Sequence, residues 1–237
     1  MGLFQKAVET YDAHSSLVGK AFDNHQVLVP VSHILARADL EIALETDGCF
    51  ASARAVDKDE PKIPIPATEE SAGRTSAACA HPLCDQLCYL APYDNVKHAL
   101  YVDQLTAWAS SPYSHPMLLP ILTYVKGGTI LSDLAKSVLI DLDEAGIPKK
   151  EKLMVRWRVH GIGTPLDGCW QQPSLVKAFQ DWYTSMQPPE NKALCMITGN
   201  YAVIAKQHQK GIIPTSGNAK LISSNDESGF TYRGRFT

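Results

Sequence analysis

The segment CAHPLCDQLC, residues 79–88, contains four side chains whose types could bind a metal ion. These side chains are Cys79, His81, Cys84 and Cys88. A structural zinc site usually combines one C-x₂₋₄-C pair with a second pair from a distant segment, because a tetrahedral ion must be approached from two sides. No second pair follows, since Cys169 and Cys195 stand alone. The spacing favours free buried cysteines without a bound metal, and a zinc-dependent enzyme centred on this segment stays open as an alternative.

Other patterns that would indicate catalysis are missing from the sequence. There is no G-x-S-x-G turn for a nucleophilic serine. There is no G-x-x-x-x-G-K-[ST] loop, so the lysine and hydroxyl that hold a terminal phosphate and Mg²⁺ are lacking. The H-x-E and P-C-x-x-C motifs of nucleobase deaminases are lacking as well. We therefore predict a protein that is not an enzyme, with no catalytic residues and no cofactor.

The segment GIIPTSGNAKLISSNDESG, residues 211–229, has the composition of a loop that contacts phosphate groups. Glycine lets the main chain approach closely, hydroxyls and amides donate to phosphate oxygens, and lysines supply positive charge. Asparagine side chains can also read base edges in a groove. The residues predicted to bind nucleic acid, here and in the run just before, are Lys206, His208, Lys210, Ser216, Gly217, Asn218, Lys220, Ser224 and Asn225. Surface turns favour the same residue types, so an ordinary turn is the alternative.

The net charge of −3 conceals an asymmetry between the two parts of the chain. Residues 1–148 carry 10 Lys+Arg against 19 Asp+Glu, whereas residues 149–237 carry 12 against 6. This asymmetry suggests a basic face for an anionic partner, because clustered charge steers polyanions whatever the net charge, and chance clustering on a solvated surface is the alternative. The sequence has no stretch of about 18 apolar residues and no signal peptide, which predicts a cytoplasmic protein without a membrane partner. The six cysteines are then expected as reduced thiols.

Periodicity predicts the elements that must position these residues. Apolar residues at helical spacing predict an amphipathic helix over residues 1–14. Alternation on either side of Thr46-Asp47-Gly48 predicts a β-hairpin. Residues 57–76 contain three prolines and many charges, which indicates an exposed, flexible connection with a short edge strand at KIPI.

The remainder of the chain mixes helices and strands. Three helical patterns predict a helical insert over about residues 95–146, ending at Gly146. A further helix is predicted over residues 172–186, and a buried strand and a turn within residues 193–208. Because the elements show no regular βαβ alternation, the predicted class is α+β, a mixed, mainly antiparallel sheet with a helical layer.

The segment KLMVRWRVHG, residues 152–161, predicts one more strand, because apolar and basic residues alternate along it. Its inner face would be apolar and its outer face would carry Arg156, Arg158 and His160. Sequence alone leaves two interpretations of the arginines open, a contact with an anionic partner or a solvated strand face.

Two motifs make the chain resemble the large subunit of type I-C CRISPR surveillance (Cascade) complexes. The run CMITGNYAVIAKQH is similar to that family's [CV]-x-[IV]-T-G-x-x-A-x-I-A-[KR]-x-H pattern, and SGNAKLISSN follows it as the family's S-G and L-[IV]-S-x-N do. Upstream, RTSAACAHPLCDQLCYL resembles the family's R-T-S, L-x-D and tyrosine. The upstream positions that match are Arg74, Thr75, Ser76, Leu83, Asp85 and Tyr89. Gln209 and Thr215 depart from the pattern, where the family often has proline and glutamine.

The resemblance implies that residues 1–237 form the N-terminal domain of such a large subunit. It implies recognition of the protospacer-adjacent motif in duplex DNA and help in starting R-loop formation near the 5′ end of the crRNA, while guide pairing reads the target. The implied partners are duplex target DNA, crRNA, the backbone and 5′-end-capping subunits of the Cascade complex, and a recruited helicase-nuclease. A purely architectural subunit that binds the RNA end is the alternative.

The predicted loop gives a direct test on Lys220. Replacing Lys220 by Ala removes one cation from the phosphate contacts, so the affinity for duplex DNA should fall. The slope of log affinity against log salt should also flatten by about one unit. A titration at two salt concentrations measures both quantities. Motif-dependent binding that survives the substitution unchanged contradicts the assignment of the loop.

Overall fold

The structure is a computed structural model that describes residues 2–22, 26–195, 197–204, 229–231 and 234–236. The α-helices in this part of the chain are α1 (Leu3–Ala13), α2 (Glu69–Gly73), α3 (Leu87–Leu90), α4 (Asn95–Ala109), α5 (Leu118–Gly127), α6 (Ile130–Lys136) and α7 (Pro173–Ser185). The strands are β1 (Ala21–Phe22), β2 (Gln26–Val27), β3 (His33–Ala36), β4 (Leu40–Leu44), β5 (Phe50–Ala55), β6 (Ile63–Pro66), β7 (Val155–Val159), β8 (Lys192–Leu194), β9 (Tyr201–Val203), β10 (Gly229–Thr231) and β11 (Gly234–Phe236). The fold is α+β, as the sequence predicts.

A three-stranded sheet in the order β5-β4-β7 forms the centre of the fold. Strand β4 pairs antiparallel with β5 and parallel with β7. The β4-β5 pair confirms the predicted hairpin. Its turn requires glycine at Gly48, which has a φ of 87°, and a Cβ there would lie 2.9 Å from the carbonyl oxygen of Pro120. The remaining described strands pair in twos, so the predicted sheet is divided into several smaller ones.

The two faces of the central sheet differ in chemistry because successive side chains of a strand point in opposite directions. Leu40, Ile42 and Leu44 of β4 are buried in the main core. Trp157 of β7 is paired in register with Ile42 and is also fully buried. Glu41 lies on the opposite face, between these apolar positions. One face of the sheet is therefore apolar and the other carries charge.

Helices α3 to α6 cover residues 87–136 and supply the predicted helical layer. Tyr124 of α5 packs edge-on against Trp157, with ring centroids 6.1 Å apart. The Trp157 ring N–H and the Tyr101 hydroxyl both donate to the carbonyl oxygen of Leu83, at 3.0 and 2.6 Å. These hydrogen bonds fix the segment before α3 to the buried face of the sheet, because buried polar atoms are costly to leave unpaired.

The last of the three predicted helices is shorter than expected. The pattern predicts an end at Gly146, but α6 ends at Lys136. Val138 follows with a φ of 58°, a left-handed conformation in which a β-branched residue cannot continue a right-handed helix. Residues 143–147 form a turn, with Asp143 accepting hydrogen bonds from the amides of Ala145 and Ile147.

Helix α7 confirms the prediction for residues 172–186. Pro173 occupies its first turn, where the missing N–H has no partner to lose. Leu175, Phe179 and Trp182 lie on its buried side. Trp182 stacks on Trp108 of α4, with ring centroids 5.7 Å apart. The helix at the start of the chain, α1, is also confirmed, although none of its residues is buried.

The interpretation of residues 57–76 as an exposed, irregular connection is wrong for residues 63–73. The edge strand predicted at KIPI is present as β6, which pairs with β3. Residues 63–68 are buried, and helix α2 follows with a capping box between Thr68 and Ser71. Prolines are tolerated in β6 because an edge strand needs few ladder hydrogen bonds.

The single buried strand predicted within residues 193–208 is also wrong. Strands β8 and β9 form a short antiparallel hairpin instead. Gly199 adopts a φ of 71°, and its amide donates to the carbonyl of Cys195, which closes the turn. Leu194 and Tyr201 are paired across the hairpin and both are exposed. In the described part of the chain, no helix combines the length and the hydropathy needed to span a membrane.

The pKa values of two buried histidines predict how the free energy of unfolding depends on pH. Burial lowers the pKa of His33 and the pKa of His81 to about 4. As the pH falls, the histidines of the unfolded chain become protonated near pH 6.5, before those of the folded protein do. The contribution of the two buried histidines to the free energy of unfolding is therefore complete above pH 6.5. It is lost as the pH falls from 6.5 towards 4, by about 1.4 kcal/mol per pH unit for each histidine.

Urea unfolding at pH 7, 6 and 5 measures this loss as a fall in the free energy of unfolding. The variants His33→Asn and His81→Asn should each flatten the dependence on pH over that range, whatever their effect on stability at pH 7. Equal slopes in the unmodified protein and in both variants contradict the prediction.

Candidate functional site

All nine residues predicted to bind nucleic acid lie outside the described residues. They are Lys206, His208, Lys210, Ser216, Gly217, Asn218, Lys220, Ser224 and Asn225. Their assignment stays a prediction. The described part of the chain contains two groups of polar residues that the sequence also points to, one around Asp85 and one on the charged face of the central sheet.

The upstream motif brings Arg74, Asp85 and Tyr89 together. The guanidinium of Arg74 binds both carboxylate oxygens of Asp85, at 2.9 and 2.6 Å, and lies 4.6 Å from the centroid of the Tyr89 ring. Asp85 is fully buried and also accepts hydrogen bonds from the amides of His81 and Gln86, both at 2.7 Å. The arrangement satisfies a buried charge and holds residues 74–89 in place. Its position indicates a structural role.

Three of the four candidate metal ligands, His81, Cys84 and Cys88, have separate side-chain partners. His81 Nδ1 lies 3.0 Å from Ser71 Oγ, the Cys84 and Cys169 sulfurs are 3.5 Å apart, and Cys88 Sγ lies 3.8 Å from Gln86 Oε1. Burial raises the pKa of the Cys79 and Cys88 thiols, which disfavours the thiolate that a metal requires. Among the described residues, no three His, Cys, Asp or Glu side chains are placed to hold a metal ion.

The charged face of the central sheet holds a group that we term the arginine cluster. It consists of Glu41, Arg54, Glu60, Arg156 and Arg158. The strand register creates it, because Glu41 of β4 is paired with Arg54 of β5 on one side and with Arg156 of β7 on the other. The Nε atoms of Arg54, Arg156 and Arg158 donate to the Glu41 carboxylate at 2.8, 2.7 and 2.9 Å. One carboxylate therefore accepts from three guanidinium groups across three strands.

A second carboxylate, that of Glu60, completes the arginine cluster from outside the sheet. Arg54 Nη1 donates to Glu60 Oε1 at 2.7 Å, and Arg156 Nη2 donates to Glu60 Oε2 at 2.5 Å. The hydrogen bond from Arg54 and the ion pair with Arg156 lower the pKa of Glu60 to about 2. Burial works against ionisation of Glu41, but hydrogen bonds from the three arginines outweigh it and hold the pKa of Glu41 below its ordinary value.

Trp170 lies over the arginine cluster. The guanidinium carbons of Arg156 and Arg158 are 4.1 and 5.0 Å from the centroid of one of its rings, within the range of cation–π interactions. Arg158 also pairs with Asp167, which in turn lies 2.8 Å from Nδ1 of His160. The interpretation of this strand as a solvated basic face is thus wrong for Arg156, whose side chain is only 3% exposed.

Sequence reasoning missed Glu41 and Glu60. A signal for Glu41 was present, because a charged residue in the middle of an apolar strand is rarely buried without a partner. No comparable signal exists for Glu60, which lies in the turn Asp57–Glu60 and reaches the cluster only through the fold. The strand pattern therefore indicates Arg156 and Arg158 without the acids that hold them.

A cavity of about 520 Å³ opens beside the arginine cluster. Its wall includes apolar side chains of the β1-β2 region and of the segment that carries Trp170. The charged residues that line it are Lys20, Arg54, Glu60, Lys62, Arg156 and Arg158. Lys20 and Lys62 are exposed and form no ion pair with any described residue. The cavity therefore has an excess of positive charge, and a site of this composition can bind an anion.

Comparison with known protein families finds a match over most of the chain. The model of the family described as "CRISPR-associated protein (Cas_Csd1)" matches residues 8–237. A search of curated proteins found no match to the chain.

The arginine cluster gives a prediction for stability. Replacing Glu41 by Gln removes the charge on which three guanidinium groups converge, while Glu60 still pairs with Arg54 and Arg156, and Asp167 still pairs with Arg158. The loss of charge-assisted hydrogen bonds of this kind typically costs about 1.5 to 3 kcal/mol. We expect the free energy of unfolding to fall by that amount in denaturant titrations. The control Glu9→Gln breaks an exposed pair with Lys6 and should cost no more than about 0.5 kcal/mol. Equal effects of the two substitutions contradict a supporting role for Glu41.

Proposed function

Because the chain belongs to the CRISPR-associated Cas_Csd1 family, whose model matches residues 8–237, we propose that it acts as the large subunit of a type I-C surveillance (Cascade) complex. The family match is the observation that carries the proposal. The motif runs at residues 74–89 and 195–225 support the finer assignment to the large subunit.

In this role the protein recognises the protospacer-adjacent motif in duplex target DNA and helps to start R-loop formation in the cytoplasm. The complete target is read by pairing with the crRNA, so the protein itself needs to read only a short duplex segment. Its partners are the crRNA, the backbone and 5′-end-capping subunits, and a recruited helicase-nuclease that cleaves the DNA. The protein has no catalytic step of its own.

Two sets of residues support contact with the DNA backbone. The segment of residues 211–229, which the sequence predicts to be a loop, has the glycine, hydroxyl, amide and lysine groups that bind phosphates and base edges. The cavity beside the arginine cluster adds cationic groups on a rigid part of the fold. Part of the basic excess of residues 149–237 is not free for this purpose, because Arg156 and Arg158 already pair with Glu41. We therefore expect weak binding by the isolated chain and tight binding in the complex.

The test is a binding titration of the assembled complex with duplexes that differ only in the candidate adjacent motif. The affinity for the duplex that carries the correct motif should exceed the affinity for the others by about tenfold or more, since each wrong base pair typically costs 1 to 3 kcal/mol. The complex with Lys220→Ala should lose affinity, whereas the control Lys126→Ala, on the exposed end of α5, should keep it. Binding of crRNA without any preference among the duplexes would support the architectural role instead.

A further inference from the structure

We propose that the arginine cluster is a binding site for a backbone phosphate of the nucleic acid, and that Glu60 occupies this site until the strand binds. The inference rests on the proposed function, because the phosphate is taken to belong to a nucleic acid that the protein binds. It goes further by assigning a regulated contact to residues that lie far from the predicted loop in the sequence.

The two carboxylates of the arginine cluster differ in how firmly they are held. Glu41 lies in the central strand β4, and its side chain is 7% exposed. Glu60 lies at the end of the turn Asp57–Glu60, and its side chain is 27% exposed and lines the cavity. Glu60 can therefore turn towards solvent without disturbing a strand, whereas Glu41 cannot. Glu60 is therefore a replaceable ligand of the arginines, and Glu41 is a permanent one.

The groups that hold Glu60 match a phosphate. Arg54 and Arg156 donate to its two oxygens from two strands, at 2.7 and 2.5 Å. A phosphodiester likewise presents two negatively charged oxygens, and paired guanidinium groups are the side chains best suited to bind them. Glu41 holds both arginines and Trp170 packs against Arg156, so these guanidinium groups can keep their positions when one anion replaces the other.

The cavity favours a strand over a small anion. Its volume of about 520 Å³ far exceeds the space of one phosphate. Lys20 and Lys62 lie in the same wall, where they can contact neighbouring phosphates of the same backbone. A ligand with several phosphates gains these contacts as it displaces Glu60, whereas a single phosphate does not. The apparent affinity equals the intrinsic affinity multiplied by the fraction of the protein in which Glu60 has left the site, so competition by Glu60 weakens binding.

The experiment compares Glu60→Gln with the matched control Glu144→Gln, which removes the same charge from an exposed turn. Binding of the full chain is measured at low salt with a short duplex DNA that lacks the adjacent motif, with an RNA oligonucleotide, and with inorganic phosphate. Glu60→Gln should tighten binding of a nucleic acid by about tenfold, because the internal competitor is gone. Glu144→Gln should have a much smaller effect. The nucleic acid that gains more identifies the strand as DNA or RNA.

A second variant keeps the test decisive if Glu60→Gln does not fold. Arg54→Gln leaves Glu60 in place and removes one of the two donors, so it should weaken binding of the same nucleic acid, whereas Lys126→Gln should not. Equal changes in Glu60→Gln and Glu144→Gln, unchanged binding in Arg54→Gln, or a response to inorganic phosphate alone would overturn the inference. Since the duplex lacks the motif, these outcomes are separate from motif preference in the assembled complex, on which the proposed function depends.

Discussion

The carboxylate of Glu41 connects all three strands of the central sheet through their side chains. It accepts hydrogen bonds from arginines on the two neighbouring strands, β5 and β7, and the strand register sets these contacts. Backbone hydrogen bonds alone would allow the strands to slide, whereas a shift by one residue would carry Glu41 into the apolar core and Leu40 into the charged face. The cost of that exchange makes the observed register the stable one.

The apolar face and the charged face of the sheet support each other. On one side, Trp157 joins β7 to the helices through Tyr124 and the carbonyl of Leu83. On the other side, the neighbouring residues Arg156 and Arg158 hold the same strand to Glu41. Because both faces of β7 are engaged, the guanidinium groups of Arg156 and Arg158 have little freedom to move. This rigidity is what a site for a fixed anion requires.

Local patterns in the sequence predicted those elements whose structure is decided locally. The hairpin at Gly48, the helices of the central layer and α7 all follow from periodicity and from turn or cap residues. The predicted end of α6 was wrong because the hydrophobic pattern does not indicate the left-handed conformation of Val138. Burial of residues 63–68 was missed because proline and charge content indicate a loop wherever the segment packs.

The site could be predicted only in part, for a different reason. Arg156 and Arg158 were recognised as an unusual basic pair, but their shared partner Glu41, and Glu60, which pairs with Arg156, lie far away in the sequence. The contrast between the acidic residues 1–148 and the basic residues 149–237 was interpreted as a basic face for an anionic partner. Part of it is an internal pairing, since Glu41 and Glu60 belong to the acidic part and bind arginines of the basic part. One sequence cannot separate charges that meet inside the fold from charges offered to a partner.

The parallel pairing of β4 with β7 has a consequence for synthesis of the chain. Glu41 and Arg156 are 115 positions apart, so the ribosome releases the whole helical layer before the third strand exists. Until then β4 has only its hairpin partner, with one edge open and a carboxylate on its charged face that lacks two of its three cations. Contacts between such distant segments are slow to form, because a long loop must close first. The central sheet should therefore be completed late, and the half-built edge of β4 is the part of the nascent protein most in need of protection from other chains.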